Sequence, residues 1–116
     1  MNIAIDQRPD ATIVTVDGSL DALTAEQLHG AFSGAMASGG TQLVAAFGGL
    51  EYTSSAGLRV LLAAMREARR RGGDLRLAAV SAKVNRVLAL SGFTSILKCY
   101  PDVDSAVASY RAAGRA

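Results

Sequence analysis

Only one cysteine, Cys99, occurs in the 116 residues, so the chain cannot close an internal disulfide. That usage agrees with a reducing compartment, and Cys99 itself reads as a small apolar filler near a strand end. Histidine is equally scarce. His29 stands alone, with no cysteine or second histidine placed to share a metal, and reads as a surface residue of a helix. No apolar run approaches the ~20 residues of a membrane-spanning helix. The start, Met1-Asn2-Ile3-Ala4-Ile5-Asp6, lacks the basic and long apolar blocks of a signal peptide, so the expected location is the cytoplasm. An excess of one charge is lacking too: 12 Lys and Arg face 10 Asp and Glu, a net charge of +2. Nucleic-acid binding needs a concentrated basic face, ideally with aromatics for stacking. The one basic cluster, Arg66, Arg69, Arg70 and Arg71, falls at the end of a predicted helix, where the negative helix terminus favours cations. It reads as a solvated helix end. Neither a nucleic-acid partner nor a membrane span is expected.

Catalytic signatures are missing as well. There is no G-x-S-x-G elbow, no phosphate-binding loop with its lysine and no dinucleotide fingerprint, and the carboxylates are scattered rather than paired. No enzyme activity, cofactor or metal is expected.

What is present is alternation. Half of the residues are apolar, enough for one compact domain with a real core. Asn2 to Gln7 and Ala11 to Val16 read as strands, joined by the turn chemistry of Arg8-Pro9-Asp10, and Asp17-Gly18-Ser19 should end the second. A helix follows, with Thr24 and Gln27 as a capping box and Leu23 and Leu28 as a hydrophobic staple around it. Leu28, Phe32 and Met36 carry its apolar stripe. Gly30 and Gly34 interrupt it at roughly 1 kcal/mol each and are expected to permit close packing on a sheet.

Thr41 to Phe47 is a run suited to a strand buried on both faces, broken by Gly48-Gly49. Gly57 to Arg71 is the clearest helix, with Leu58, Leu61, Leu62, Met65 and Ala68 on one arc and Arg59, Ala63, Arg66, Glu67 and Arg70 on the other. A strand over Asp74 to Ala79 and a helix capped by Ser81 and running to Ser91 come next. The last elements are a short strand over Ser95 to Tyr100 and a helix capped by Asp102, with Val103, Ala106, Val107 and Tyr110 inward. The order β-β-α-β-α-β-α-β-α predicts an α/β domain over residues 1–113, a mixed sheet with helices packed mainly on one face. A loose tail is expected over 114–116.

The informative segment is Leu50-Glu51-Tyr52-Thr53-Ser54-Ser55-Ala56-Gly57-Leu58-Arg59, which joins a buried strand to the strongest helix. A serine there caps the helix by accepting a backbone N–H. The same place suits a phosphoserine, because free amides and the positive helix end stabilise a dianion. Phosphorylation would add nearly two negative charges to a surface able to press against a partner. Capping and switching are both open to these residues.

Over nearly its full length the chain resembles the STAS domains of anti-sigma factor antagonists. Gly18-Ser19-Leu20-Asp21 is similar to the family's glycine, spacer, aliphatic, aspartate pattern, and Tyr52 through Leu62 to its switch loop and following helix. Gly73-Asp74-Leu75-Arg76-Leu77 and Val84 through Phe93 are similar to the later strand and helix. The resemblance implies partner switching. The unphosphorylated antagonist binds an anti-sigma factor that is also a serine kinase, the kinase phosphorylates it from ATP, and a serine phosphatase restores it. It implies a protein that is a substrate of catalysis, holds no cofactor and is monomeric when free.

Many members carry Asp-Ser-Ser-Gly at the switch and modify the second serine. Here Ser54 falls on the aspartate, Ser55 on the first serine and Ala56 on the second. Members with Ser-Ala-Gly point to Ser55 as the modified residue, with Ser54 the alternative. The strand position that often holds an aspartate is Ala46. The implied partner-binding residues are Asp21, Thr53, Ser54, Ser55, Ala56, Gly57, Leu58 and Arg59. A second reading is a STAS subunit that is never phosphorylated and docks on another protein, such as a lipid-transport ATPase complex, its serines only capping a helix.

Overall fold

The computed structural model describes residues 1–113; the tail expected from Gly114 lies outside them. The described residues form β1 (Asn2–Gln7), β2 (Thr12–Leu20), α1 (Ala22–Ala37), β3 (Gln42–Thr53), α2 (Ser55–Arg70) and β4 (Asp74–Ala78). Then come α3 (Ala82–Leu90), a 3-10 turn at Phe93–Ser95, β5 (Cys99–Tyr100) and α4 (Val103–Ala113). One five-stranded sheet runs in the order β1-β2-β3-β4-β5. β1 is antiparallel to β2 and forms one edge, and the other pairs are parallel. This is the mixed sheet that the alternating pattern predicts.

Strand alternation divides the core between two faces. Val14 and Val16 of β2, Leu43, Ala45 and Phe47 of β3, and Leu75 and Leu77 of β4 point to the face covered by α1, α2 and α3. Leu28, Phe32 and Met36 of α1, Leu61, Met65 and Ala68 of α2, and Val84 and Leu88 of α3 meet them there. Ile13, Val44, Ala46 and Ala78 point the other way and, among the described helices, are covered by α4, through Ala106, Val107 and Tyr110. Ala46 therefore packs under α4 rather than lining the front face.

Polar contacts fasten α4 to the sheet. The Tyr110 hydroxyl reaches the carbonyls of Leu43 (2.7 Å) and Asp74 (2.8 Å). Arg76 lies over its ring at 4.0 Å and donates to Ser109 Oγ at 2.7 Å. The Asp74 carboxylate takes Arg76 Nε at 3.3 Å, Arg69 Nε at 2.8 Å and the Leu75 amide at 2.9 Å. Burial pushes the Tyr110 phenol pKa well up, with the Asp74 charge acting the same way.

Several elements depart from expectation. β2 does not stop at Asp17-Gly18-Ser19, and β3 does not stop at Gly48-Gly49. The two run on side by side to Leu20 and Thr53, across register shifts at Thr15/Asp17 and Gly18/Ser19. Burial of Leu20 and Leu50 beneath the helices explains the extension. The backbone of Gly49 lies against the Asp17 side chain, where a Cβ would collide.

α1 begins at Ala22, with Asp21 as its cap, so Thr24 is the third helical residue and not the cap. Leu23 is 73% exposed and staples nothing. Gly30 and Gly34 face open space rather than the sheet. The strand expected over Ser95 to Tyr100 shrinks to Cys99–Tyr100, because the 3-10 turn occupies Phe93–Ser95 and Leu97 turns inward, 2% exposed. Cys99 is exposed, not a filler. The arginine cluster is more than solvated: Arg69 holds Asp74 and the Ile96 carbonyl, while Arg70 and Arg71 hold Glu67.

Candidate functional site

β2 and β3 are parallel neighbours that end in register, Leu20 opposite Thr53. Each then turns at once into a helix, so two helix N-termini stand side by side. Their free amides and aligned dipoles make this corner of the molecule hospitable to negative charge. The Ser54 amide donates to the Leu20 carbonyl at 2.8 Å and ties the two turns together. Asp21 and the Thr53–Arg59 segment are thereby brought to one place.

At the first turn, Asp21 Oδ1 accepts the amides of Leu23 (3.0 Å) and Thr24 (2.8 Å). Thr24 Oγ1 in return accepts the Asp21 amide (2.9 Å), and its own proton lies between the Ser19 carbonyl (2.7 Å) and Asp21 Oδ1 (3.0 Å). The Thr24 amide above all, then the Thr24 hydroxyl, holds the Asp21 carboxyl below its ordinary value of 3.8. A depressed folded-state pKa adds stability above the unfolded value, and that stability is lost as pH falls through the folded one. Below about pH 4, the acid-side fall in unfolding free energy should be shallower for Asp21→Asn than for the wild type. Parallel curves from urea titrations at pH 7 and pH 3 would contradict this cap.

At the second turn, Thr53 is buried and its hydroxyl donates to the Ser54 carbonyl at 3.2 Å. Ser54 is the N-cap of α2, with Oγ accepting the Gly57 amide at 3.4 Å. Gly57 is buried, and a Cβ there would run into the Thr53 hydroxyl and stand 3.0 Å from Leu20 Cβ. Glycine is what lets α2 start this close to β2. Ser55 is the first residue of α2; it is exposed, and no hydrogen bond ties its hydroxyl among the described residues. Ala56 and Leu58 are half-buried, and Arg59 is exposed one turn further on.

Two large apolar residues outside the expected contact set are exposed on the elements that form these turns. Leu23, in the first turn of α1, is 73% exposed, and Tyr52, paired with Ser19 at the end of β3, is 51% exposed. Both leave apolar area uncovered on the elements that carry the two turns. Leu23 was legible only as a staple, and Tyr52 only as part of the motif. An open depression of about 380 Å³ lies between α1 and α2, lined by Ala22, Glu26 and His29 on one side and Ala56, Arg59 and Val60 on the other. Among the described residues, no group of three or more His, Cys, Asp or Glu is placed to hold a metal ion. No described helix is long and apolar enough to cross a membrane.

The model of the STAS domain matches residues 2–106. The chain belongs to this family. A relative from Bordetella bronchiseptica named as an anti-sigma factor antagonist, BtrV, is 31% identical over 113 residues, covering 97% of each chain. Among solved structures, an anti-sigma factor antagonist from Mycobacterium paratuberculosis is 24% identical, covers 95% of this chain and 93% of its own, and superposes with a TM-score of 0.86. The antagonist SpoIIAA in its unphosphorylated form is 22% identical, covers 96% and 97%, and gives 0.83. SpoIIAA of Bacillus is also known in its phosphorylated form, with a TM-score of 0.73, 22% identity and coverage of 93% and 98%. At these identities the solved structures share the STAS fold. The mixed sheet, its strand order and the helix succession of this STAS domain are those of the family.

Proposed function

We propose that this STAS domain is an anti-sigma factor antagonist controlled by phosphorylation of Ser55. Its unphosphorylated form binds a cytoplasmic anti-sigma factor that is also a serine kinase and so frees the sigma factor. In the complex Ser55 Oγ attacks the γ-phosphorus of ATP, ADP departs, and the hydroxyl proton leaves to a base on the kinase. The new dianion faces the partner surface that Asp21, the Thr53–Leu58 loop and Arg59 had contacted, and the complex dissociates. A serine phosphatase hydrolyses the ester and returns the domain to its binding form. The protein acts here as a substrate and a ligand, not as an enzyme, and it is monomeric when free.

The observation that carries this reading is the difference between the two serines. The Ser54 hydroxyl is spent on the cap of α2, whereas that of Ser55 is exposed and uncommitted at the front of the same helix. The antagonists among its relatives, one of them known in both phosphorylation states, support it.

The test mixes the protein with a purified candidate anti-sigma factor kinase from the same organism and ATP, and locates phosphate by mass spectrometry. Modification is expected on Ser55, to be abolished by Ser55→Ala, with Ser55→Asp folding normally but binding the partner at least about tenfold more weakly, about 1.4 kcal/mol. Modification of Ser54 alone would move the switch by one residue. No modification together with no binding would leave only a docking scaffold.

A further inference from the structure

We infer that Arg59 reads the phosphate on Ser55, so that modification both adds a dianion and withdraws this guanidinium from the docking surface. The inference rests on the Ser55 reading above. Ser55 and Arg59 are one helical turn apart on α2 and both are exposed. At that spacing their side chains share one face, with Cβ atoms about 5–6 Å apart, and the anion lies N-terminal to the cation, the better orientation.

The other arginines of α2 and its C-cap stand about two or more turns away, and three of them are engaged. Arg69 holds Asp74, and Arg70 and Arg71 hold Glu67, while Arg66 stands about two turns beyond Arg59. Arg59 forms no ion pair among the described residues.

The charged and titratable groups that line the depression with it come from α1, Glu26 and His29, and Asp21 caps that helix at its head. Glu26 is the carboxylate placed to compete for the guanidinium, while Asp21 is already committed to its own amides. A phosphoserine offers close to two charges and three acceptor oxygens, and arginine meets phosphate through two parallel N–H donors. The phosphate therefore takes Arg59 from the α1 side of the depression. The unmodified surface presents a cation without an ion-pair partner among the described residues, and the modified one presents a neutralised arginine and an anion.

The test installs phosphoserine at position 55 during translation, which needs no kinase, and follows the phosphate by phosphorus NMR between about pH 4 and 8, around its second ionisation near 6. An opposite charge in contact favours the dianion, so the midpoint should rise by about 0.3 pH unit or more in Arg59→Gln. Arg59→Lys should give a smaller rise. Arg66→Gln, which removes the same charge two turns away, should leave the midpoint in place. No rise in Arg59→Gln, or an equal rise in both glutamine variants, overturns the inference. Failure of the Ser55 reading itself shows separately, as a serine left unmodified by partner and ATP.

Discussion

Asp74→Ala should lower the unfolding free energy by about 3–5 kcal/mol, the range for breaking a buried ion pair from one side. Asp74 is 8% exposed and Arg76 beside it 7%. Removing it leaves a buried guanidinium with only Ser109 and the face of Tyr110 for company. It also frees Arg69, which joins the end of α2 to the start of β4. Apolar replacement of both partners should cost less than this one change, because no unpaired charge then stays inside. Asp74→Ala with Arg76→Met should thus be more stable than Asp74→Ala alone. Urea titration of the three proteins decides it; a single-mutant loss under about 1 kcal/mol, the scale of a surface pair, would show that the cluster is solvated.

Phe32→Ala should cost a similar 3–5 kcal/mol, for a different reason. Phe32 is 1% exposed and lies between Leu28 and Met36 on the stripe that α1 lays against α2 and the sheet. Truncation forfeits the transfer energy of the ring and leaves a cavity that two helices cannot both close. Leu90→Ala is the matched control, since Leu90 is 83% exposed at the end of α3. Its stability should stay within about 0.5 kcal/mol of the wild type. Comparable losses for the two would mean that Phe32 does not anchor α1 in the core. Because Phe32 supports α1 from beneath, residual partner binding by Phe32→Ala should follow its folded fraction.

Much of this architecture was legible from local patterns, and the exceptions share a cause. Ser81 caps α3, and Asp102 accepts the Ser105 amide at 2.7 Å in α4, as their positions predict. These are interactions between residues three apart, visible in any short window. The cap of α1 was legible in kind but misplaced: Thr24 takes part in a reciprocal box, yet with Asp21 before it rather than Gln27 after it. The glycine pair at Gly48-Gly49 reads locally as a break. The strand survives it because β2, some thirty residues earlier, continues alongside.

The cluster around Asp74 joins residues up to 67 apart in sequence, so no periodicity announces it. At the site, the motif located both serines and the structure separates them, one tied into the cap and one exposed. Leu23 reads as a staple because an apolar residue near a helix start suggests packing until its exposure is seen.

The placement of α4 has a consequence for how the protein is made. Ribosomes deliver chain from the N-terminus, so α1, α2 and α3 emerge between the strands they cover. The reverse of the sheet has no such escort. Ala11, Ile13, Val44, Ala46 and Ala78 form an oily strip whose cover among the described residues, α4, is synthesised after all the strands. A nascent chain stalled before Asp102 would carry that strip uncovered, a ready target for chaperones and for aggregation with its neighbours.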